Sequence, residues 1–208
     1  ATRLPNKPLL KINGLSIINH VYEKAISANI GDVFVATGDE EIFEEVTKKG
    51  GKCVLTTKEH QTGTDRIFEA YQKLELNNVD YIINLQGDEP MIDIEDIKNL
   101  NTNATNKKSE IATLACKIKD KNALNNSNIV KVITDEKISK ENISKANTFS
   151  REVLFNYNAN IYHHIGIYIY KVSTLEKFVN LKQTKNEINQ RLEQLRAIDN
   201  NIEINVIL

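Results

Sequence analysis

Cysteine is scarce. Only Cys53 and Cys116 occur in 208 residues, and neither has a second Cys or a His beside it at metal-ligand spacing. That argues against a disulfide framework and against a structural zinc site. Both lie in apolar runs (Lys52-Cys53-Val54-Leu55 and Leu114-Ala115-Cys116), so the expectation is two buried thiols in a reducing, cytoplasmic compartment. An excess of one charge is lacking too. The formal net charge is −1, which leaves no global basic field of the kind that non-specific nucleic-acid binding needs. No apolar run approaches the length of a membrane span, and neither a signal peptide nor a membrane partner is expected. Internal repeats are missing. So is the G-x-x-x-x-G-K-[ST] spacing of a Walker A loop, and no Ser/His/Asp set points to covalent catalysis.

What is present is the balance of an ordinary globular protein, with 40% hydrophobic and 26% charged residues. The length suits one domain, or one domain with a lobe attached. In the first two-thirds, helix and strand patterns alternate. Ile17, Ile18, Val21, Tyr22, Ala25 and Ile26 recur at three- and four-residue spacing, giving an amphipathic helix that ends near Asn29-Ile30-Gly31. Residues 32–37 read as a short buried strand, and a second helix carries Ile42, Phe43 and Val46 up to Gly50-Gly51. Residues 53–56 form another strand. Thr62 with Asp65 three positions later resembles a capping box opening a third helix, and residues 81–85 are the best central strand. This rhythm predicts right-handed βαβ units and a mostly parallel sheet. Later, residues 111–118, 129–134 and 161–170 are strand-like. A polar excursion covers residues 135–147, a helix runs over 186–198 and a last strand over 202–208.

The chemistry-bearing residues cluster at element ends. Gln86-Gly87-Asp88-Glu89-Pro90 follows the best strand, and ligands of open α/β sheets bind outside strand carboxyl ends. Asp88 there could hold Mg²⁺, a hard cation that takes one or two carboxylates plus substrate phosphates; the plain alternative is a β-turn with solvated acids. Arg3 and Lys7, in a loop stiffened by Pro5 and Pro8, suit a polyphosphate, although a solvated basic loop has the same composition. His60-Gln61-Thr62-Gly63-Thr64-Asp65-Arg66 could read a base edge or a phosphate, or simply cap a helix. Period two over 161–170 puts Tyr162, His164, Gly166, Tyr168 and Tyr170 on one face and the isoleucines with His163 on the other. The isoleucine face is expected to be core and the imidazole–phenol face to meet ligand, with Tyr168 equally suited to packing. Arg151, after Phe149-Ser150, is a partner for a carboxylate or an exposed, unpaired cation. Glu193 and Gln194 adjoin apolar Leu192 and Leu195 at the edge of a buried face, though a Glu in such a position is commonly solvated.

Taken in order, these segments resemble the 3-deoxy-manno-octulosonate (Kdo) cytidylyltransferases, the CMP-Kdo synthetases. The likeness runs through Thr2-Arg3-Leu4-Pro5-x-Lys7-Pro8, Val35-Ala36-Thr37-x-Asp39, residues 60–66, Gln86-Gly87-Asp88-Glu89-Pro90-Met91, Ala112-Thr113-Leu114, Val130-Lys131-Val132, Phe149-Ser150-Arg151, His164-Ile165-Gly166-Ile167-Tyr168 and Leu192-Glu193-Gln194-Leu195-Arg196. It spans nearly the whole chain.

The resemblance implies a Rossmann-like α/β nucleotidyltransferase fold with a smaller sugar-binding and dimerisation lobe. It implies one domain over residues 1–208, with 1–110 mainly binding CTP and 111–208 mainly binding sugar and forming a homodimer. The implied reaction, on the route to lipopolysaccharide, is in-line attack of the Kdo anomeric hydroxyl on the α-phosphorus of CTP, expelling pyrophosphate. Arg3, Lys7 and Asp88 would carry catalysis, Asp88 as Mg²⁺ ligand. Arg3, Lys7, Gln61, Thr62, Thr64, Arg66 and Gln86 would hold CTP. Arg151, His164, Tyr168, Glu193 and Gln194 would grip Kdo. By the family pattern, a first strand with a Pro-Ala-Arg turn and a closing Val-Asp-Thr segment are missing, and Glu152-Val153-Leu154 replaces the usual Ile-Pro after Arg151. A CMP-sialate-type synthetase and a degenerate nucleotide-binding protein are the rival readings. Gln86-Gly87-Asp88-Glu89-Pro90 argues against the first, and retention of Arg3, Lys7 and Asp88 together against the second.

Overall fold

The computed structural model describes residues 6–57, 59–152 and 160–208. The chain divides into two compact units, Ala1–Val79 with Asn84–Asn99, and Asp80–Ile83 with Leu100–Leu208. This partition differs from halves drawn at 110/111, because the second unit starts at Leu100 and also takes Asp80–Ile83.

The first unit opens with a 3-10 turn (Lys7–Leu9) and a small hairpin of β1 (Lys11–Ile12) and β2 (Leu15–Ser16). Its two-residue loop, Asn13-Gly14, has positive φ at both positions (51° and 82°), the conformation that Asn-Gly favours in hairpins. Then come α1 (Ile17–Ala28), β3 (Val35–Thr37), α2 (Glu40–Lys48), β4 (Cys53–Leu55) and α3 (Gly63–Leu74). Helix α1 buries Ile17, Ile18 and Val21 and stops where Asn29 turns left-handed at φ 51°. Helix α2 is capped by the Asp39 carboxylate, which accepts from Glu41 N at 2.9 Å. Its apolar stripe fixes Val46 at 0% exposure. A Cβ at Gly51 would sit 2.7 Å from Val46 Cγ1 and 3.1 Å from Val46 O, so the exit from α2 needs glycine. Strands β3 and β4 pair in parallel from Val35↔Cys53 to Thr37↔Leu55, the expected βαβ unit around α2.

The second unit is built on β5 (Tyr81–Asn84), α4 (Ile94–Lys107), β6 (Ile111–Lys117), α5 (Lys121–Asn125), β7 (Lys131–Thr134), β8 (Ser144–Ser150), β9 (Asn160–Lys171), α6 (Val172–Val179), α7 (Lys185–Gln190), α8 (Leu195–Asp199) and β10 (Ile204–Ile207); the ends of β5 and α4 cross the unit boundary. Its sheet has six strands in the order β5-β9-β6-β10-β8-β7, with a further β7–β9 pairing. Here the expectation of a mostly parallel sheet is corrected: the sheet is mixed. β10 runs parallel to β6, but β10–β8, β6–β9, β7–β8 and β7–β9 are antiparallel. Parallel neighbours need a long crossover, usually a helix, and beyond residue 130 the chain passes from β7 to β8 without one.

Three further corrections concern local structure. The polar excursion at 135–147 contains the first residues of β8, with Ser144 and Ala146 buried. The single helix expected over 186–198 is two, broken where Arg191 adopts φ 53°. The isoleucine face of β9 is not the sole core face. Between residues 161 and 165 the buried positions are Tyr162 and His164, while Ile161 and Ile165 are half-buried; from 167 to 170 both faces are covered. Phe149, Ile111, Ile169, Leu175 and Phe178 fill this core at under 2% exposure, each worth about 2 kcal/mol of burial.

Candidate functional site

In the first unit the lysine expected to bind triphosphate and the expected metal ligand meet. Pro8 presets the 3-10 turn after Asn6, whose φ is 54°, and Lys7 Nζ reaches Asp88 Oδ2 at 2.9 Å. Asp88 rides on two consecutive turns, Glu89 N to Gln86 O (3.2 Å) and Ile92 N to Glu89 O (3.3 Å). Lys24 Nζ donates to Ile92 O at 2.8 Å and pins the second turn. A Cβ at Gly87 would come within 2.8 Å of Ile18 Cδ1, so glycine lets this loop lie flat on α1. The bond to Asp88 raises the Lys7 pKa against desolvation, with the charges of Asp88 and Glu89 adding less. Asp88 Oδ1 makes no hydrogen bond among the described residues. Among those residues there is also no group of three His, Cys, Asp or Glu side chains that could hold a metal by itself. A lone carboxylate can take part in a Mg²⁺ site only together with other oxygens, such as those of substrate phosphates. Arg3 lies outside the described residues.

The 60–66 segment is a cap with side chains projecting around it. Thr62 Oγ1 accepts from Asp65 N at 3.2 Å and donates to Asp65 Oδ2 at 2.8 Å. The acid thus takes the threonine hydroxyl, a variant of the expected capping box. Thr64 is buried, Gln61 and Gln86 are exposed, and Arg66 Nη1 donates to Thr56 Oγ1 (2.6 Å) and Thr57 O (3.0 Å). A residue the sequence did not single out organises this corner. Glu69 accepts from Thr57 N (2.9 Å), Thr57 Oγ1 (2.8 Å), His60 Nε2 (2.5 Å) and Lys73 Nζ (2.8 Å). Desolvation pushes its carboxyl up, yet the bonds from Lys73, Thr57 and His60 prevail and hold it down at about 2.

In the second unit, β9 delivers His164 and Tyr168 to one aromatic row. Phe149 and His164 meet edge to face at 5.1 Å, His164 and Tyr168 lie 5.4 Å apart, and Tyr168 stacks on Tyr170 at 5.8 Å. His164 and Tyr168 are both 9% exposed. Burial, reinforced by His163, lowers the His164 pKa to about 3, so the ring is neutral. Burial also raises the Tyr168 phenol well above its usual value, with Tyr170 and then Glu193 adding and the neighbouring Thr113 hydroxyl opposing; Glu193 and Thr113 therefore belong to the same neighbourhood. The Tyr168 hydroxyl is buried without a hydrogen-bond partner among the described residues. That is an uncommon state for a buried polar atom, and one that a ligand hydroxyl or carboxylate would relieve.

Arg151 is held by backbone, donating from Nε to Gln190 O and from Nη1 to Ser127 O, both at 3.3 Å. Beneath it Lys131, 3% exposed, donates to Asn126 O (2.9 Å), Ile129 O (2.9 Å) and Arg151 O (2.5 Å). Burial and then the Arg151 charge lower the Lys131 pKa. Glu193 and Gln194 occupy the corner between α7 and α8, where Glu193 O and Gln194 O accept from Arg196 N (3.0 Å) and Ala197 N (3.2 Å). The corner is clamped by a buried pair: Arg196 Nε and Nη2 donate to Glu187 Oε2 (2.9 Å) and Oε1 (2.5 Å). Desolvation works against Glu187, but the Arg196 fork and the Thr184 N–H keep its carboxyl below the usual range. Thr184 and Glu187 make a complete capping box. The Thr-x-x-Glu spacing of 184–187 is the signal that could have located it.

Known proteins resemble this chain over nearly its whole length. A family model described as cytidylyltransferase matches residues 1–204. The 3-deoxy-manno-octulosonate cytidylyltransferase of Rhodopseudomonas palustris (strain BisB5) is 41% identical over 207 residues, covering 99% of this chain and 84% of that protein. The enzyme of the same name from Thermodesulfovibrio yellowstonii is 43% identical, covering 99% and 85%. A solved CMP:2-keto-3-deoxy-manno-octonic acid synthetase in complex with CTP matches 100% of this chain and 84% of its own, at 35% identity and a TM-score of 0.89. A cytidylyltransferase from Leptospira borgpetersenii shares the fold alone, at 16% identity and a TM-score of 0.58 over 100% of this chain and 71% of its own. Matches at this identity and coverage assign the chain to the 3-deoxy-manno-octulosonate cytidylyltransferase family.

Proposed function

We propose that this protein transfers CMP from CTP to Kdo, releasing pyrophosphate, as a step toward lipopolysaccharide. The observation that carries the reading is the likeness over 100% of the chain, at a TM-score of 0.89, to a synthetase solved with CTP. Phosphoryl and nucleotidyl transfers depend on positioning and charge neutralisation more than on a protein nucleophile. In this reading Lys7, with Arg3, holds the triphosphate as a cation. Gln61, Thr62, Thr64, Arg66 and Gln86 receive the cytidine, and the Glu69 network keeps the 57–66 corner in shape for it. Arg151 takes the sugar carboxylate, while His164, Tyr168, Glu193 and Gln194 take its hydroxyls. Tyr168 carries the strongest local support, since its buried hydroxyl lacks a partner among the described residues.

Asp88 would hold Mg²⁺ through a carboxylate oxygen. When bound, the cation supplies charge neutralisation at the phosphates. Before then, the Lys7–Asp88 ion pair keeps each charge compensated. We further propose a homodimer, as the family resemblance implies. Sedimentation that showed monomer alone at micromolar concentration would contradict it. A cytoplasmic location is in keeping with two cysteines outside any disulfide. No helix among the described residues is long and apolar enough to cross a membrane.

The function is tested by pyrophosphate release with CTP and Mg²⁺ against a panel of sugar acids. Turnover with Kdo and little with sialate is expected; preference for sialate would move the protein to the other CMP-sugar class. Binding of CTP with no turnover on any acid would favour a degenerate nucleotide-binding protein.

A further inference from the structure

We propose that Thr113 is a positioning residue that fixes His164 as the Nε2–H tautomer, leaving Nδ1 as an acceptor for a hydroxyl of the sugar acid. The inference rests on the reading of His164 as a sugar contact. Thr113 sits in the middle of β6, 0% exposed, opposite Tyr168 on β9. The β6–β9 register shifts between Thr113 and Leu114, and the irregularity brings two β9 carbonyls and the imidazole to one hydroxyl. Thr113 Oγ1 lies 2.7 Å from Ile167 O, 3.2 Å from Ile165 O and 3.1 Å from His164 Nε2.

A threonine hydroxyl has one hydrogen and two lone pairs, and carbonyl oxygens only accept. The hydrogen must therefore point to Ile167 O. Were it turned to His164 instead, a hydroxyl lone pair would face a carbonyl lone pair at 2.7 Å in a buried site, where unpaired polar contacts are costly. Thr113 Oγ1 then meets His164 as an acceptor, and Nε2 carries the proton. A neutral imidazole has one N–H, so Nδ1 is bare. Burial that holds the ring neutral agrees with this. Nδ1 makes no hydrogen bond among the described residues, and Phe149 and Tyr168 fix the ring plane from two sides. An acceptor nitrogen can take a hydroxyl but repels a carboxylate. His164 accordingly reads a sugar hydroxyl and leaves the carboxylate to Arg151.

Nitrogen-15 NMR of the histidine side chains tests the tautomer, in parallel with steady-state kinetics. In the unaltered protein, His164 should show Nε2 at the shift of a protonated nitrogen and Nδ1 at that of a bare one. Thr113→Val keeps the shape and removes the hydroxyl. It should mix the two tautomers and raise KM for Kdo about tenfold, the loss of one oriented hydrogen bond, with KM for CTP unchanged. Thr113→Ser should restore both properties. A bare Nε2 in the unaltered protein would overturn the proposal, and that spectrum needs no variant to fold. Mixed tautomers in Thr113→Val with an unchanged KM for Kdo would also overturn it. His164→Ala separates the two levels: if it leaves KM for Kdo unchanged, the sugar-contact reading has failed. If it raises KM while Thr113→Val does not, only the role of Thr113 has failed.

Discussion

Lys7 and Asp88, separated by 81 positions in the chain, form an ion pair at 2.9 Å with side chains 32% and 35% exposed. A pair this open to water contributes little to stability, so its interest is chemical. It joins the cation assigned to the triphosphate and the carboxylate assigned to the metal. Replacing the carboxylate should therefore spare the fold and cost turnover. Asp88→Asn is expected to lower kcat by about two to three orders of magnitude, with thermal unfolding close to that of the unaltered protein. Near-normal turnover would remove Asp88 from the metal site.

In the proposed reading, nucleotide choice is set by the 56–69 corner. Arg66 and Glu69 are bonded to Thr56 and Thr57, and Thr62 to Asp65, so these side chains are held in place. A polar pocket built for a pyrimidine edge leaves groups unsatisfied with a purine. Calorimetric titration should show CTP binding strongly preferred over ATP and GTP. Equal affinities would favour the degenerate-binder reading.

Sugar binding should separate from nucleotide binding by mutation. Arg151→Ala is expected to raise KM for Kdo about ten- to hundredfold, the range for one lost charge-assisted hydrogen bond, and to leave KM for CTP little changed. Tyr168→Phe should act in the same direction, more weakly. His163 is half-buried, its Nδ1 3.7 Å from Cys116 Sγ, and serves as the control. His163→Ala should alter stability and spare KM for Kdo. If His163 governed KM for Kdo and His164 did not, the assignment of faces on β9 would be reversed.

A buried neutral histidine also makes stability depend on pH. The His164 pKa falls from 6.5 unfolded to about 3 folded. Between those values the unfolded chain binds the extra proton, so the folded state is destabilised as pH drops below about 6.5. From pH 7 to pH 5 this one group should remove about 2 kcal/mol. Urea unfolding of the unaltered protein and of His164→Gln should show that slope shrinking in the variant. Parallel pH profiles would contradict a buried, neutral His164.

The parts of the structure legible in the sequence were those governed by local rules. Helix α1 with its Asn29 stop, α2 with Val46 inward, and the parallel β3–β4 pair follow from periodicity, capping and the βαβ rhythm. Strand β9 was legible as a strand but not in its packing. Period two assigns residues to faces and does not say which face a neighbouring layer will cover, and over 167–170 both faces are buried. The mixed sheet was hidden for a related reason, since β6, β9 and β10 are brought together by pairings remote in sequence. Among site residues, Lys7, Asp88, His164 and Tyr168 stood out through motif order. Glu69, Lys131 and Thr113 act on other side chains and on backbone carbonyls, and no spacing rule reveals such partners. The Arg191 turn that splits α7 from α8 has no Gly or Pro to announce it.

The central claim is that CMP is joined to Kdo, and phosphorus-31 NMR of the reaction mixture tests it most directly. Protein, CTP, Mg²⁺ and Kdo should convert the triphosphate resonances into two products in equal amounts, inorganic pyrophosphate and a phosphodiester whose single phosphorus links cytidine to the sugar. Omitting Kdo should leave CTP intact. Release of inorganic phosphate with CDP, or consumption of CTP independent of Kdo, would contradict cytidylyl transfer and with it the roles given to Lys7, Asp88, Arg151, His164 and Tyr168.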